Sequence, residues 1–183
     1  LPLWINSVLQ GIAFYPDPGS STGADALLPW AGEEKQMTQY EELAPRFKEA
    51  LLTRAKIKIP FWSLLGMEVV DVKMGWAQTK IPFSRKLANA NGLAHGGAIF
   101  SAADTAVGIA LAGLVDKEDF ITTLEMKINY VKPVGSGEII AEAKIIHKGK
   151  NTAIGDAEVR DSDGSLVAKA VCTYAIIKKS DTK

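Results

Sequence analysis

The 183-residue chain has one cysteine, Cys172, and two histidines, His95 and His147. A single thiol excludes an internal disulfide and a cysteine metal cluster, and it fits a reducing, cytoplasmic setting. Two histidines make a zinc site hard to assemble, so neither metal nor cofactor is expected. Charge of one sign is also missing: Lys+Arg and Asp+Glu balance at 21 each. That removes the electrostatic case for nucleic acid as the main partner. No apolar run reaches the roughly 18 residues of a membrane span. The nearest, residues 98–115, is built of small residues and broken by Asp104, and it reads as a buried core helix. The stretch up to Phe14 lacks the basic start of a signal peptide.

What is present is an ordinary globular balance, 47% apolar and 23% charged, in a chain long enough for one core with an appendage. Residues 1–36 stand apart. Pro16, Pro18, Gly19, Gly23, Pro29 and Gly32 punctuate them, with no periodicity after Phe14. The expectation is that the natural product starts at Met37 and that residues 1–36 are leader or appended upstream sequence, the alternative being a genuine N-terminal arm. Leu43, Phe47 and Leu51 then fall at helical spacing, predicting a helix over residues 39–57 that Pro60 terminates. A short turn or helix follows at residues 60–66, closed by Gly66. Strands are predicted at 67–73, 76–83, 120–131, 138–147, 153–160 and 166–177, with the long apolar helix at 96–114 between the second and third. This order describes an α+β fold, a single helix on an antiparallel sheet whose last four strands form a meander. Apolar residues encircle the long helix, so a curved sheet must wrap it or a second copy must pack beside it.

The stretch from Asn89 to Asp104 dominates the chain chemically. A helix N-terminus at His95-Gly96-Gly97 offers unpaired N–H donors and a positive dipole end that can polarise a carbonyl oxygen. Asp104, in the middle of an oily helix, is costly unless it is paired or has work to do. At about 1.5 Å per residue, Gly96 and Asp104 lie roughly 12 Å apart along one helix, too far to serve one substrate. Two antiparallel copies of the helix would bring them together, which favours a two-fold dimer with composite sites.

His95-Gly96-Gly97, Asp104, the preceding Asn89 and the later run from Thr123 through Tyr130 to Pro133 together resemble the PaaI-like hotdog acyl-CoA thioesterases of the 4-hydroxybenzoyl-CoA thioesterase superfamily. The resemblance covers about residues 59–177. It implies a hotdog domain at 59–178, an antiparallel sheet wrapped around the central helix; the N-terminal helix read from apolar spacing, assigned to 37–58, precedes that domain and lies outside the resemblance. The resemblance also implies hydrolysis of an acyl-CoA to acid and CoA, and dimers that often pair into tetramers. The acid matching Asp104 would be the nucleophile or the general base, and the sequence separates neither. Gly96 would bind the thioester oxygen through its N–H, with Gly97 beside it in contact with substrate. Asn89 matches the family residue that orients water or thioester, although Asn89 and the nearby Asn91 both suit plain turn chemistry. His95 would shape the loop and line the site, having no acid spaced for a triad. Thr123 aligns with a hydroxyl that holds the attacking water, or is a strand residue by propensity alone.

For the CoA phosphates, the candidates are the cationic Lys148 and Lys150 with the neutral Asn151 in one hairpin, and Arg85-Lys86 in a loop. Phe100, with Trp62, Leu65 and Phe83, would line the acyl pocket. Two competing functions remain. A hotdog dehydratase needs a His–acid pair for which no histidine is spaced. A non-catalytic acyl-CoA-binding repressor would carry a basic helix-turn-helix that residues 1–58 do not show.

Overall fold

The computed structural model describes residues 40–57 and 59–179. Residues 1–36 and Met37, on which the expected start rests, lie outside the described residues.

Helix α1 spans Pro45–Ile57. It begins six residues later than the apolar spacing predicts, because a proline fits the first helical turn and biases the residue before it away from helix. The carbonyl of Ala44 accepts from Phe47 and Lys48, which fixes that start. The short α2, Pro60–Leu65, closes on Gly66 in the left-handed conformation at φ 69°, as its position predicts. Strands β1 (Glu68–Lys73) and β2 (Trp76–Pro82) form a hairpin. A 3-10 turn at Arg85–Leu87 interrupts the following loop. The central helix α3 spans Gly96–Ala112. Strands β3 (Phe120–Tyr130), β4 (Glu138–Lys148), β5 (Thr152–Arg160) and β6 (Leu166–Ile177) follow.

The six strands among the described residues form one antiparallel sheet in the order β1-β2-β4-β5-β6-β3. The expected meander is therefore corrected at one point: β3 does not pair with β4 but crosses to the far edge beside β6. Residues 131–137 make that crossing at one end of the sheet. Val131 and Lys132 both donate to the Val167 carbonyl, and Val134 is buried, its carbonyl accepting from Ala94. Seven extended residues reach about 23 Å, enough to span three strand spacings of about 4.8 Å.

The sheet wraps α3, which touches all six strands. Nine of its residues, from Ala98 to Leu111, are buried, so the encircling apolar pattern is met within one chain by curvature. Gly155 on β5 lets the helix lie this close, since a Cβ there would stand 2.3 Å from Val107 Cγ1. Among the described residues no helix is long and apolar enough to cross a membrane.

Candidate active site

The loop before α3 is built by its own side chains. Asn89 Oδ1 accepts from the N–H groups of Asn91 and Leu93, at 2.9 and 3.2 Å, while its main chain bonds Leu93 and Gly92. This closes a tight turn through Gly92 at φ 76°. The side-chain oxygen of Asn89 is thus committed to the loop, and the amide nitrogen remains to act as a donor.

His95 is the N-cap of α3. Its N–H donates to the Leu87 carbonyl, its carbonyl accepts from Ala98, and its Nδ1 accepts from Gly97 N–H at 2.9 Å. Acceptance at Nδ1 leaves the ring's donor position at Nε2. The first turn of a helix has orphan N–H groups, and here each is accounted for but one. Among the described residues nothing accepts the Gly96 N–H. Tyr130, at the end of β3, anchors the same residue from the other side by donating to the Gly96 carbonyl at 3.0 Å.

Asp104 lies two turns along α3, half-buried, facing β3 and β6. Thr123 Oγ1 donates to its Oδ1 at 2.9 Å. Tyr174 Oη stands 2.7 Å from both that Oδ1 and the Asp104 main-chain carbonyl. Gly108 eases this proximity, because a Cβ there would crowd Tyr174 Oη at 3.1 Å. Burial, reinforced by the Asp104 charge, pushes the Tyr174 phenol well above its ordinary range, so it stays a donor. Burial likewise pushes the neighbouring Cys172 thiol up to about 12, which makes it inert. Oδ1 is therefore held twice, whereas among the described residues nothing hydrogen-bonds Oδ2. Thr123 and Tyr174 face each other in the β3–β6 register, which places both on the helix side of the sheet.

This sheet-wrapped helix with a glycine start and a mid-helix acid coincides with what comparison of sequences finds. The family described as "Thioesterase superfamily" matches residues 91–168, from just after Asn89 through Gly96, Asp104 and Thr123. A candidate esterase of Saccharolobus solfataricus, SSO1253, is 31% identical over 122 residues, 67% of this chain and 81% of its own. The chain belongs to the thioesterase superfamily. It is a hotdog member of the PaaI-like type. The 1,4-dihydroxy-2-naphthoyl-CoA hydrolase of Listeria monocytogenes is 29% identical over 63% of this chain and 94% of its own. Among solved structures, the conserved protein PA5202 of Pseudomonas aeruginosa superposes with a TM-score of 0.64 at 35% identity, covering 68% of this chain and 98% of its own. The phenylacetic acid degradation protein PaaI of Thermus thermophilus gives 0.59 at 27% identity, over 64% and 98% of the two chains.

In this thioesterase-superfamily chain the other sequence candidates fall into two groups. A groove beside the start of α3 is lined by His95, Gly97, Phe100, Leu65 and Lys86. Trp62 and Phe83 instead pack against the main core. Lys148, Lys150 and Asn151 sit at the opposite end of the sheet from Gly96. Lys148 pairs with Ala153, Ala153 with Tyr174 and Tyr174 with Thr123, so the hairpin lies on the row of the sheet that holds Asp104. Within one chain the structure brings together Asp104 and Thr123, groups His95, Gly96, Gly97 and Phe100 separately, and leaves the hairpin with the acid. Tyr174 and Tyr130 were not foreseen as site residues. Their only mark in the sequence is a tyrosine at an inward strand position, and the partners lie 70 and 34 residues away.

Proposed function

We propose that the chain hydrolyses an acyl-CoA thioester to the free acid and CoA, at two composite sites of a two-fold dimer. The reading rests on one observation: among the described residues, α3 carries a single uncommitted N–H at its start and a carboxylate with one uncommitted oxygen two turns later. In the dimer, Gly96 N–H of one subunit binds the thioester carbonyl oxygen, at the positive end of the helix dipole. Asp104 of the other takes a proton from water through Oδ2. The water oxygen attacks the carbonyl carbon, and the C=O electron pair moves onto the oxygen at Gly96. Collapse of that intermediate breaks the C–S bond, and the proton held by Asp104 passes to the departing sulfur. Thr123 and Tyr174 hold Oδ1, so the carboxylate cannot turn away.

Dimer formation is supported by the half-exposed stripe Ser101, Asp104, Thr105 and Gly108, with Gly97 above it, whose small side chains allow two helices close approach. In that arrangement Lys148, Lys150 and Asn151 stand beside the partner's helix start, where the CoA phosphates would lie, and Asn89 donates from its amide nitrogen. Pairing of two dimers into a tetramer and a cytoplasmic location, which the lone buried Cys172 supports, belong to the same proposal.

Subunit complementation tests it. Asp104→Asn and Gly96→Val are each expected to release no thiol from acyl-CoA, and a co-refolded mixture to recover about a quarter of wild-type turnover, since half the dimers hold one intact site. No recovery in a proven heterodimer overturns the composite site. Wild type that binds acyl-CoA without releasing thiol overturns hydrolysis in favour of a binding protein.

A further inference from the structure

Resting on that hydrolase reading, we propose that the groove between α1 and the C-terminal end of α3 receives the distal end of a straight-chain acyl group of about ten carbons or more. The groove is lined by Phe47, Ala50 and Leu51 of α1, Ala112 and Val115 at the end of α3, and Ile121 of β3. It lies where two hydrophobic clusters fail to merge: Phe47 and Leu51 pack with one, Val115 and Ile121 with the other. An apolar channel left open between two cores is a place for an apolar ligand.

Its position relative to the acid identifies the ligand. Asp104, Gly108 and Ala112 form one i, i+4 ridge of α3. Thr123 and Ile121 are two apart on β3 and share a face, each in register with a β6 residue. The ridge and that strand face run together from the carboxylate to the groove. At the midpoint Gly108 adds no side chain of its own, and the Tyr174 phenol packs against it. From Asp104 to Ala112 is about 12 Å along the helix. C–C bonds of about 1.5 Å, each advancing slightly less along an extended chain, need about ten carbons to cover it. An aryl acyl group would end short of α1. At the mouth, Lys117 stands 5.4 Å from the Phe47 ring centre, and the carboxylate of Asp119 is held by Lys178, so polar groups mark where the chain must stop. α1 lies outside the segment matched by the family, and it becomes the part of this chain that sets acyl length.

The test is a series of saturated acyl-CoAs from butanoyl to hexadecanoyl on the full chain, with Ala50→Trp and Leu51→Ala. A buried methylene contributes about fourfold, so kcat/KM in the wild type should climb towards decanoyl and dodecanoyl. Ala50 is exposed on α1, and a tryptophan there fills the groove without entering the core. Ala50→Trp should lower the dodecanoyl-to-butanoyl ratio about tenfold or more, and Leu51→Ala should move the optimum to longer chains. An unchanged ratio in Ala50→Trp overturns the proposal, as does a wild-type preference for butanoyl or aryl thioesters. So does an equal loss at every length with a changed oligomer mass, which would make the groove an interface between copies. Calorimetry with the non-hydrolysable dodecyl thioether of CoA separates the two readings. If no thioester is turned over, weaker binding of this probe to Ala50→Trp still supports the groove, and equal binding overturns it.

Discussion

The two halves of the candidate site sit on one helix and are held in opposite ways. The start of α3 is organised by its own neighbours: Asn89 closes the loop, His95 caps the helix, and the outcome among the described residues is one free N–H at Gly96. Asp104 is organised from across the fold, by Thr123 on the edge strand β3 and Tyr174 on β6. A donor site can be made by local chain geometry because helix ends supply orphan N–H groups without any distant partner. A carboxylate fixed in a half-buried setting needs donors from other elements, and the curved sheet supplies them.

Breaking the long-range half should have the larger effect. Asp104→Asn keeps the shape and removes the base, and kcat is expected to fall about 10³- to 10⁴-fold while the dimer persists in sedimentation. Single-turnover hydrolysis in ¹⁸O-water then sharpens the role of the acid. Unlabelled acid in the first turnover marks an anhydride formed by Asp104 and opened at the Asp104 carboxyl carbon, whereas labelled acid marks water attack at the acyl carbon, as a general base requires.

Tyr174→Phe removes one of the two bonds to Oδ1, and a hydrogen bond to a charged group contributes about 1.5–3 kcal/mol. We expect kcat to drop about ten- to a hundredfold with a smaller change in KM. Because the phenol is held above its usual range, the wild-type kcat–pH profile should show no alkaline break near pH 10 from this residue. Such a break that disappears in Tyr174→Phe would contradict the assignment.

Uncapping the local half, with Gly96 left in place, should cost less. His95→Ala uncaps α3, with a loss of about 1 kcal/mol in denaturant unfolding and a less than tenfold fall in kcat/KM. A loss as deep as that of Asp104→Asn would make His95 a chemical participant and end the contrast.

The smallest effect concerns the clasps at the two ends of the sheet. Lys132 beside Asp161, and Lys178 beside Asp119, hold those carboxyls below their ordinary range. Their folded-state pKa values are depressed, so the stabilisation is present above the unfolded value of about 3.9 and is lost as pH falls through the folded value. Tm should hold from neutral to about pH 5 and decline below about pH 4, with a shallower decline in Asp161→Asn.

Much of the fold was legible because turn residues and periodicity are local signals. Gly66 lies in the left-handed region where the pattern called for a turn, as does Gly75 in the gap between the strands predicted at 67–73 and 76–83, and β6 matches its predicted span to the residue. α1 starts later than its apolar spacing indicates because Pro45 outweighs that spacing. The strand order departs from a simple meander because residues 131–137 cross the end of the sheet, leaving β3 at the edge beside β6.

By itself the sequence determined the pieces that depend on nearby residues: the elements, the glycine start of α3, the acid in its middle and the distance that keeps them apart on one helix. Only the tertiary structure decided which oxygen of Asp104 is held and by whom, since Tyr174 reaches it across 70 residues of chain through a register and a Gly108 contact that no local pattern encodes. It also decided that the Gly96 N–H is the one left over, because that follows from where Leu87 and the His95 ring come to rest. Side-chain partners are set by packing of the whole sheet around the helix, and packing is a property of the assembled chain.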